Sequence, residues 1–242
     1  MDSDNMYLHL RERRQGALPY RVRERLCKIT VPAVHIDVWS DYVCPFCYLA
    51  EPTLARIERE FGNAISITWR AFELRPEPVS MLPPDGEYLH DIWARAVYPM
   101  AREREMTLRL PPVQPRSRLA HEAAFFAREH GDFNAMNNAL FRAFFERGED
   151  VGEVDVLAKV AVSAGLDDGG LRRALTEGSH REEVLGDERL AHDLQLSSVP
   201  AMLVRSAQRP LGEAWLLSGA QPYEVVHRAV TQLLEAVPSS SL

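Results

Sequence analysis

Two thiols set three residues apart, Cys44 and Cys47, with Pro45 and Phe46 between them, carry the spacing that points to covalent chemistry. Thiol–disulfide exchange needs such a pair: one thiolate opens a disulfide, and a second thiol resolves the mixed disulfide that results. A free cysteine ionises near pKa ~8.5, so the attacking sulfur needs surroundings that favour its anion. Residues three apart on a helix lie one turn apart on the same side, near enough for the sulfurs to close a small ring. Cys44 is therefore the expected nucleophile, reachable by solvent, and Cys47 the expected resolving thiol.

The flanking sequence supplies the elements that would position them. Val34, Ile36 and Val38 alternate along 33–39, the period of a strand. Phe46, Ala50, Leu54, Ile57 and Phe61 recur at steps of three and four, the apolar face of a helix. Ile65, Ile67 and Trp69 then alternate with Ser66, Thr68 and Arg70 as a second strand. The thiols thus stand where strand hands over to helix, at the carboxyl edge of a βαβ unit, where open α/β sheets put their chemistry. At that point unpaired helix N–H groups and the positive end of the helix dipole face Cys44 and favour its thiolate. Pro45 suits the first helical position, and Pro52, further in, is expected to kink the helix.

A zinc site needs about four ligands. Cys27 is the only other cysteine, and His9 and His35 offer no regular spacing, so no metal is expected. Two merely structural cysteines would not call for a proline between them at a helix start.

Far down the chain, Ser197-Ser198-Val199-Pro200 precedes Ala201-Met202-Leu203-Val204, an apolar run that reads as a buried strand. A proline is allowed at a strand's first residue. The two signals together resemble the thioredoxin superfamily. Ser40 to Cys47, the long helical middle, Ser198-Val199-Pro200 and Ser218-Gly219-Ala220-Gln221-Pro222 more closely resemble the DsbA-like proteins of the FrnE type. That branch is akin to the 2-hydroxychromene-2-carboxylate isomerases and kappa-class glutathione transferases. The resemblance covers roughly residues 33 to 237.

It implies an α/β thioredoxin fold with a large all-helical insertion between the second strand and the cis-Pro strand. Val199-Pro200 would be a cis peptide facing Cys44, with the Val199 main chain taking a substrate peptide as an added strand. Pro45, Phe46, Ser198, Val199 and Pro200 would form the substrate site, although Ser198 reads equally well as an ordinary loop serine. Many family members bury an acidic residue six positions before the attacking cysteine; Val38 stands there instead, and strand alternation points Asp37 to the other face. Asp41 could handle protons through water, but capping of a turn or helix start is the favoured reading. Strongly oxidising relatives carry a histidine between the cysteines. Phe46 cannot donate charge, so the couple should be more reducing than theirs, nearer the thioredoxin range of about −270 mV. Phe46 would instead form an apolar rim for substrate.

At 242 residues with 46% hydrophobic content, the chain can bury a full core. A net charge of −7 argues against nucleic acid or an anionic membrane as partner. No apolar run is long enough to span a bilayer, and the first 33 residues hold no secretory h-region. Three cysteines are too few for a disulfide scaffold, so the cytoplasm is the expected compartment, with Cys27 a free thiol. The basic residues are almost all arginine, from which no function follows.

The expected organisation is an N-terminal extension over 1–32, a thioredoxin-like domain built from 33–78 and 182–237, and an inserted helical domain over 79–181. Helical periodicity runs from Glu87 to about Thr176, with one helix over Tyr88–Met106 and core aromatics including Phe126, Phe141, Phe144 and Phe145. The closing helix spans Tyr223–Ala236, and Pro238 onward reads as a tail. His121-Glu122 begins like a zincin motif, but Phe125 stands where its second histidine must be. Each histidine then reads as an ordinary surface or helix residue.

The leading function is a thiol–disulfide oxidoreductase or isomerase acting on a disulfide-containing protein or a small thiol such as glutathione, without a cofactor and either alone or as a homodimer. A glutathione-dependent isomerase or transferase is the alternative within enzymology, though it needs no resolving Cys47. A non-catalytic holdase is the alternative outside it.

Overall fold

The computed structural model describes residues 31–236. Cys27, most of the N-terminal extension and the tail beyond Ala236 lie outside them. Four strands form the sheet: β1 (Val34–Ser40), β2 (Ile65–Ala71), β3 (Ala201–Ser206) and β4 (Trp215–Ser218). Their order is β2-β1-β3-β4. β1 runs parallel to β2 and antiparallel to β3, and β4 pairs antiparallel with β3. The parallel pair needs a crossover, supplied by α1 (Pro45–Phe61). This is a thioredoxin fold.

Between β2 and β3 the chain forms α2 (Glu87–Ile92), α3 (Tyr98–Glu103), α4 (Arg118–His130), α5 (Phe133–Phe145), α6 (Val154–Ser163), α7 (Asp168–Glu177) and α8 (Arg181–Asp193). The chain closes with α9 (Tyr223–Ala236). Where one helix was expected over Tyr88–Met106, a π turn at Trp93–Val97 joins α2 to α3. Pro99 has no N–H to give the preceding turn, and the wider register carries the chain past it. That helix stops at Glu103, and Glu105 adopts a left-handed φ of 54°. α1 runs on through Pro52 as one element.

Strand alternation divides the core in two. Val34, Ile36, Val38, Met202 and Val204 turn one sheet face onto Ala50, Leu54 and Ile57 of α1 and Val226 and Val230 of α9. Trp39, Ala201 and Leu203 turn the other face into a larger core that holds Cys44, Cys47 and the aromatics of α4 and α5. The redox pair therefore sits between the sheet and the helices that follow β2. Each large aliphatic or phenylalanine side chain buried there contributes roughly 1.5–3 kcal/mol.

Polar groups fasten the far end of those helices back onto the sheet. Asp37, buried on the face opposite Val38, pairs with Arg70 at 2.6 Å. Arg70 also pairs with Asp187 of α8 at 2.8 Å, and Asp187 accepts the Ala71 N–H at 3.0 Å. The Trp39 indole donates to the Asp187 carbonyl at 3.0 Å.

Candidate active site

Cys44 is the N-cap residue of α1, with Pro45 at the start of the helix and no side chain capping it. Helix N–H groups are thus left facing the Cys44 region, the arrangement that favours an anion. Cys44 and Cys47 are both free thiols. Cys44 is 3% exposed, less open than expected for a nucleophile, because helices α2 and α5 cover it. Its access is through a cavity of about 270 Å³, lined on the redox side by Cys44, Pro45, Phe46, Ser198 and Val199. Tyr88, Ile92, Trp93 and Phe145 form the opposite wall. Tyr88 at the rim is 62% exposed, so the cavity reaches solvent there.

The Val199–Pro200 peptide is cis, and the Cys44 thiol points at the Val199 carbonyl, 3.5 Å away. Pro200 stands behind that carbonyl, and its own carbonyl accepts the Gly219 N–H at 2.8 Å. Gly219 has φ +78°, a conformation that side chains disfavour, which explains a glycine in this run. Arg104, just after α3, donates to the carbonyls of Leu49 and Ala220, tying the inserted helices to both α1 and this loop.

Cys47 lies behind Cys44, fully buried. Burial pushes its thiol well above the ordinary range, and the hydrogen bond and charge of Cys44 add to this. The Asp41 N–H, 3.4 Å from the Cys47 sulfur, and the Ser40 hydroxyl oppose the shift. Asp41 itself has no exposed surface. Its carboxylate accepts the Val43 N–H at 3.3 Å and the Leu74 N–H at 2.7 Å. It caps a turn, not the start of α1, which belongs to Cys44.

The structure brings the sequence-derived site residues into one region, although Cys47, Asp41 and Pro200 do not line the cavity. It also corrects the reading of the histidines. His121 is on a helix but only 4% exposed, and its Nε2 lies 3.6 Å from the Asp41 carboxylate. The opposite wall was missed as well: Tyr88, Ile92 and Trp93 carry only an apolar helical pattern in sequence, indistinguishable from core.

Residues 35–231 match the DSBA-like thioredoxin domain. The Bacillus subtilis (strain 168) "Uncharacterized protein YwbO" is 29% identical over 204 residues, covering 82% of this chain and 96% of its own. The crystal structure of the probable DsbA oxidoreductase SCO1869 from Streptomyces coelicolor aligns with a TM-score of 0.68 at 25% identity, covering 85% of this chain and 92% of that one. The cytosolic disulfide reductase DsbM from Pseudomonas aeruginosa shares the fold, with a TM-score of 0.64 at 20% identity over 84% of this chain and 100% of its own.

Proposed function

The chain belongs to the DSBA-like thioredoxin domain family, and from that footing we propose that it is a thiol–disulfide oxidoreductase worked by Cys44 and Cys47. The observation that carries the proposal is the placing of two unlike thiols. Cys44, at the start of α1, faces a cavity; Cys47, one turn on, is sealed behind it. The outer sulfur can meet a substrate and the inner one can meet only Cys44.

In the reductive direction the Cys44 thiolate attacks one sulfur of a substrate disulfide, and the other sulfur leaves as a thiolate. Cys47, deprotonated, then attacks the Cys44 sulfur. The Cys44–substrate bond breaks, and the enzyme's two thiols have become a disulfide while the substrate disulfide has become two thiols. The oxidative direction is the same sequence reversed. Val199 supports substrate binding: its main chain lies beside the Cys44 sulfur and suits pairing with an extended segment. Pro45, Phe46, Ser198 and the cis Pro200 loop complete that binding edge.

A cavity of 270 Å³ accommodates a side chain or a small disulfide, not a folded domain. The substrate is thus an extended segment of a disulfide-containing protein or a small thiol such as glutathione. We assign residues 79–181 as an inserted helical domain covering the site and the remainder, 33–78 and 182–237, as the thioredoxin-like domain. We assign the protein to the cytoplasm; among the described residues no helix is long and apolar enough to cross a membrane.

Insulin reduction tests the proposal. The wild type should accelerate precipitation of the insulin B chain, and Cys44→Ser should fall to the uncatalysed rate. Equal rates for the two proteins would refute it.

A further inference from the structure

His180 is the N-cap residue of α8, and Glu183 stands in the first turn of that helix. His180 is only 5% exposed, and its Nδ1 lies 2.9 Å from Glu183 Oε2. Its Nε2 has no hydrogen-bond partner among the described residues. Glu129, in the last turn of α4, completes the group: one donor atom from each of Glu129, His180 and Glu183 lies within 4.8 Å of the other two. Both glutamates are exposed, and Glu129 makes no hydrogen bond or ion pair among the described residues. The three residues line a cavity of about 660 Å³ that shares no residue with the redox cavity.

This cavity is short of positive charge. Glu129, Asp167, Glu177 and Glu183 line it against one arginine, Arg173. Asp167 is spent on capping α7, where it accepts the Gly170 N–H at 2.7 Å. Arg128, whose charge reaches Glu183, donates to the Trp69 carbonyl. Arg181 faces Glu122 of α4 at 3.6 Å, a buried carboxylate with neither oxygen hydrogen-bonded, and His180 lies within reach of its charge. The negative end of the α4 dipole meets the positive end of α8 here, so the two helix ends offset each other. His130 lines the same cavity, its Nδ1 3.0 Å from the Phe126 carbonyl. A carbonyl only accepts, so the neutral His130 ring carries its proton on Nδ1 and keeps a lone pair on Nε2.

We propose that Glu129, His180 and Glu183 bind a first-row divalent metal ion of the zinc type, which pins α4 to α8. One imidazole and two carboxylates suit zinc, manganese or iron, and the set lacks the thiolates that copper(I) selects. Ligand atoms about 2.0–2.2 Å from one ion stand about 2.9–3.6 Å apart. The Nδ1 and Oε2 atoms already have that separation. The ion takes the place of the proton shared between ring and carboxylate. The His180 proton then sits on Nε2, the nitrogen that no protein group engages. Glu129, exposed and unpaired, swings in as the third ligand. Water from the cavity fills the open positions, and His130 Nε2 is an acceptor available to it. Because α8 is fastened to the sheet through Asp187, the ion ties a helix of the insertion to the thioredoxin sheet. The site stands apart from the thiols and does not rest on the oxidoreductase reading.

Calorimetric titration of the full-length protein with zinc tests this, together with X-ray absorption at the zinc edge. Thiols bind zinc too, so Cys27→Ser/Cys44→Ser/Cys47→Ser serves as a thiol-free background. One zinc per chain should bind in that background, with nitrogen and oxygen ligands at about 2.0–2.2 Å and an imidazole signature that His180→Ala removes. Affinity should fall at least about 10-fold in His180→Ala and in Glu129→Gln/Glu183→Gln, the lower range even for disturbing a metal site's outer shell. In the wild type the same substitutions should remove one zinc equivalent. No zinc uptake without thiols, an affinity that these substitutions leave unchanged, or an imidazole signature that persists in His180→Ala would overturn the proposal. Both glutamates are exposed, so Glu129→Gln/Glu183→Gln decides if His180→Ala does not fold. If the thiol-free protein does not fold, the zinc equivalent lost from the wild type decides.

Discussion

Two residues, Pro45 and Phe46, separate two thiols that the structure makes chemically unlike. Cys44 opens on a cavity, whereas Cys47 has no exposed surface and a thiol pushed well above its ordinary range by burial. At pH 7, iodoacetamide should therefore modify Cys44 and leave Cys47 untouched until the protein is unfolded, as peptide mass spectrometry can show. Equal modification would contradict the assignment. Phe46 brings no charge to the Cys44 sulfur, so the couple should equilibrate nearer about −270 mV than about −120 mV against glutathione or dithiothreitol. These residues were legible in sequence because they are neighbours in the chain with fixed helical spacing. Asp41 was legible as a polar residue near the site. Its tie to His121 was not, since that pairing depends on how α4 folds back over the loop after β1, and no local pattern encodes that.

At the level of elements, α8 shows what periodicity leaves out. The helical pattern was read to about Thr176, yet Arg181–Asp193 forms a further helix whose buried face is narrow and partly charged. Asp187 looks like a surface residue in sequence; in the fold it meets Arg70, the Ala71 N–H and, through its carbonyl, Trp39. Asp187→Ala should cost about 1–3 kcal/mol of stability in urea denaturation, because Arg70 loses one of its two carboxylate partners and the Ala71 N–H loses its acceptor. Glu188 on the same helix is raised to about 7, by burial first and then by the charge and hydrogen bond of Glu73, with Arg118 opposing. A carboxyl whose folded value lies above its unfolded one stabilises the fold while protonated, and that contribution is lost as pH rises through about 7. Glu188→Gln should therefore be more stable than wild type at pH 8 and about equal at pH 4, measured by thermal unfolding. A variant with the wild type's pH dependence would contradict this. The strands around the thiols, by contrast, were legible throughout, because their two-residue alternation is also the division between the two cores.

Over the whole molecule, one sheet face is closed by α1 and α9 and the other by the helices between β2 and β3. The thiols lie at the seam between sheet and insertion, with Arg104 bridging the two. The fold class was readable because the CxxC run, the Val-Pro step and the helical middle occur in one order. The cavity was not, since its far wall combines α2, the π turn and α5, whose apolar residues look alike in sequence whether they line a core or a site. The central claim is that Cys44 attacks and Cys47 resolves, and trapping tests it most directly. Cys47→Ser, reduced and mixed with a disulfide substrate, should yield a one-to-one adduct on Cys44 by intact-mass and peptide mass spectrometry, reversed by dithiothreitol. Cys44→Ser should yield none. An adduct on Cys47 in Cys44→Ser, or no adduct on Cys44 in Cys47→Ser, would contradict the account.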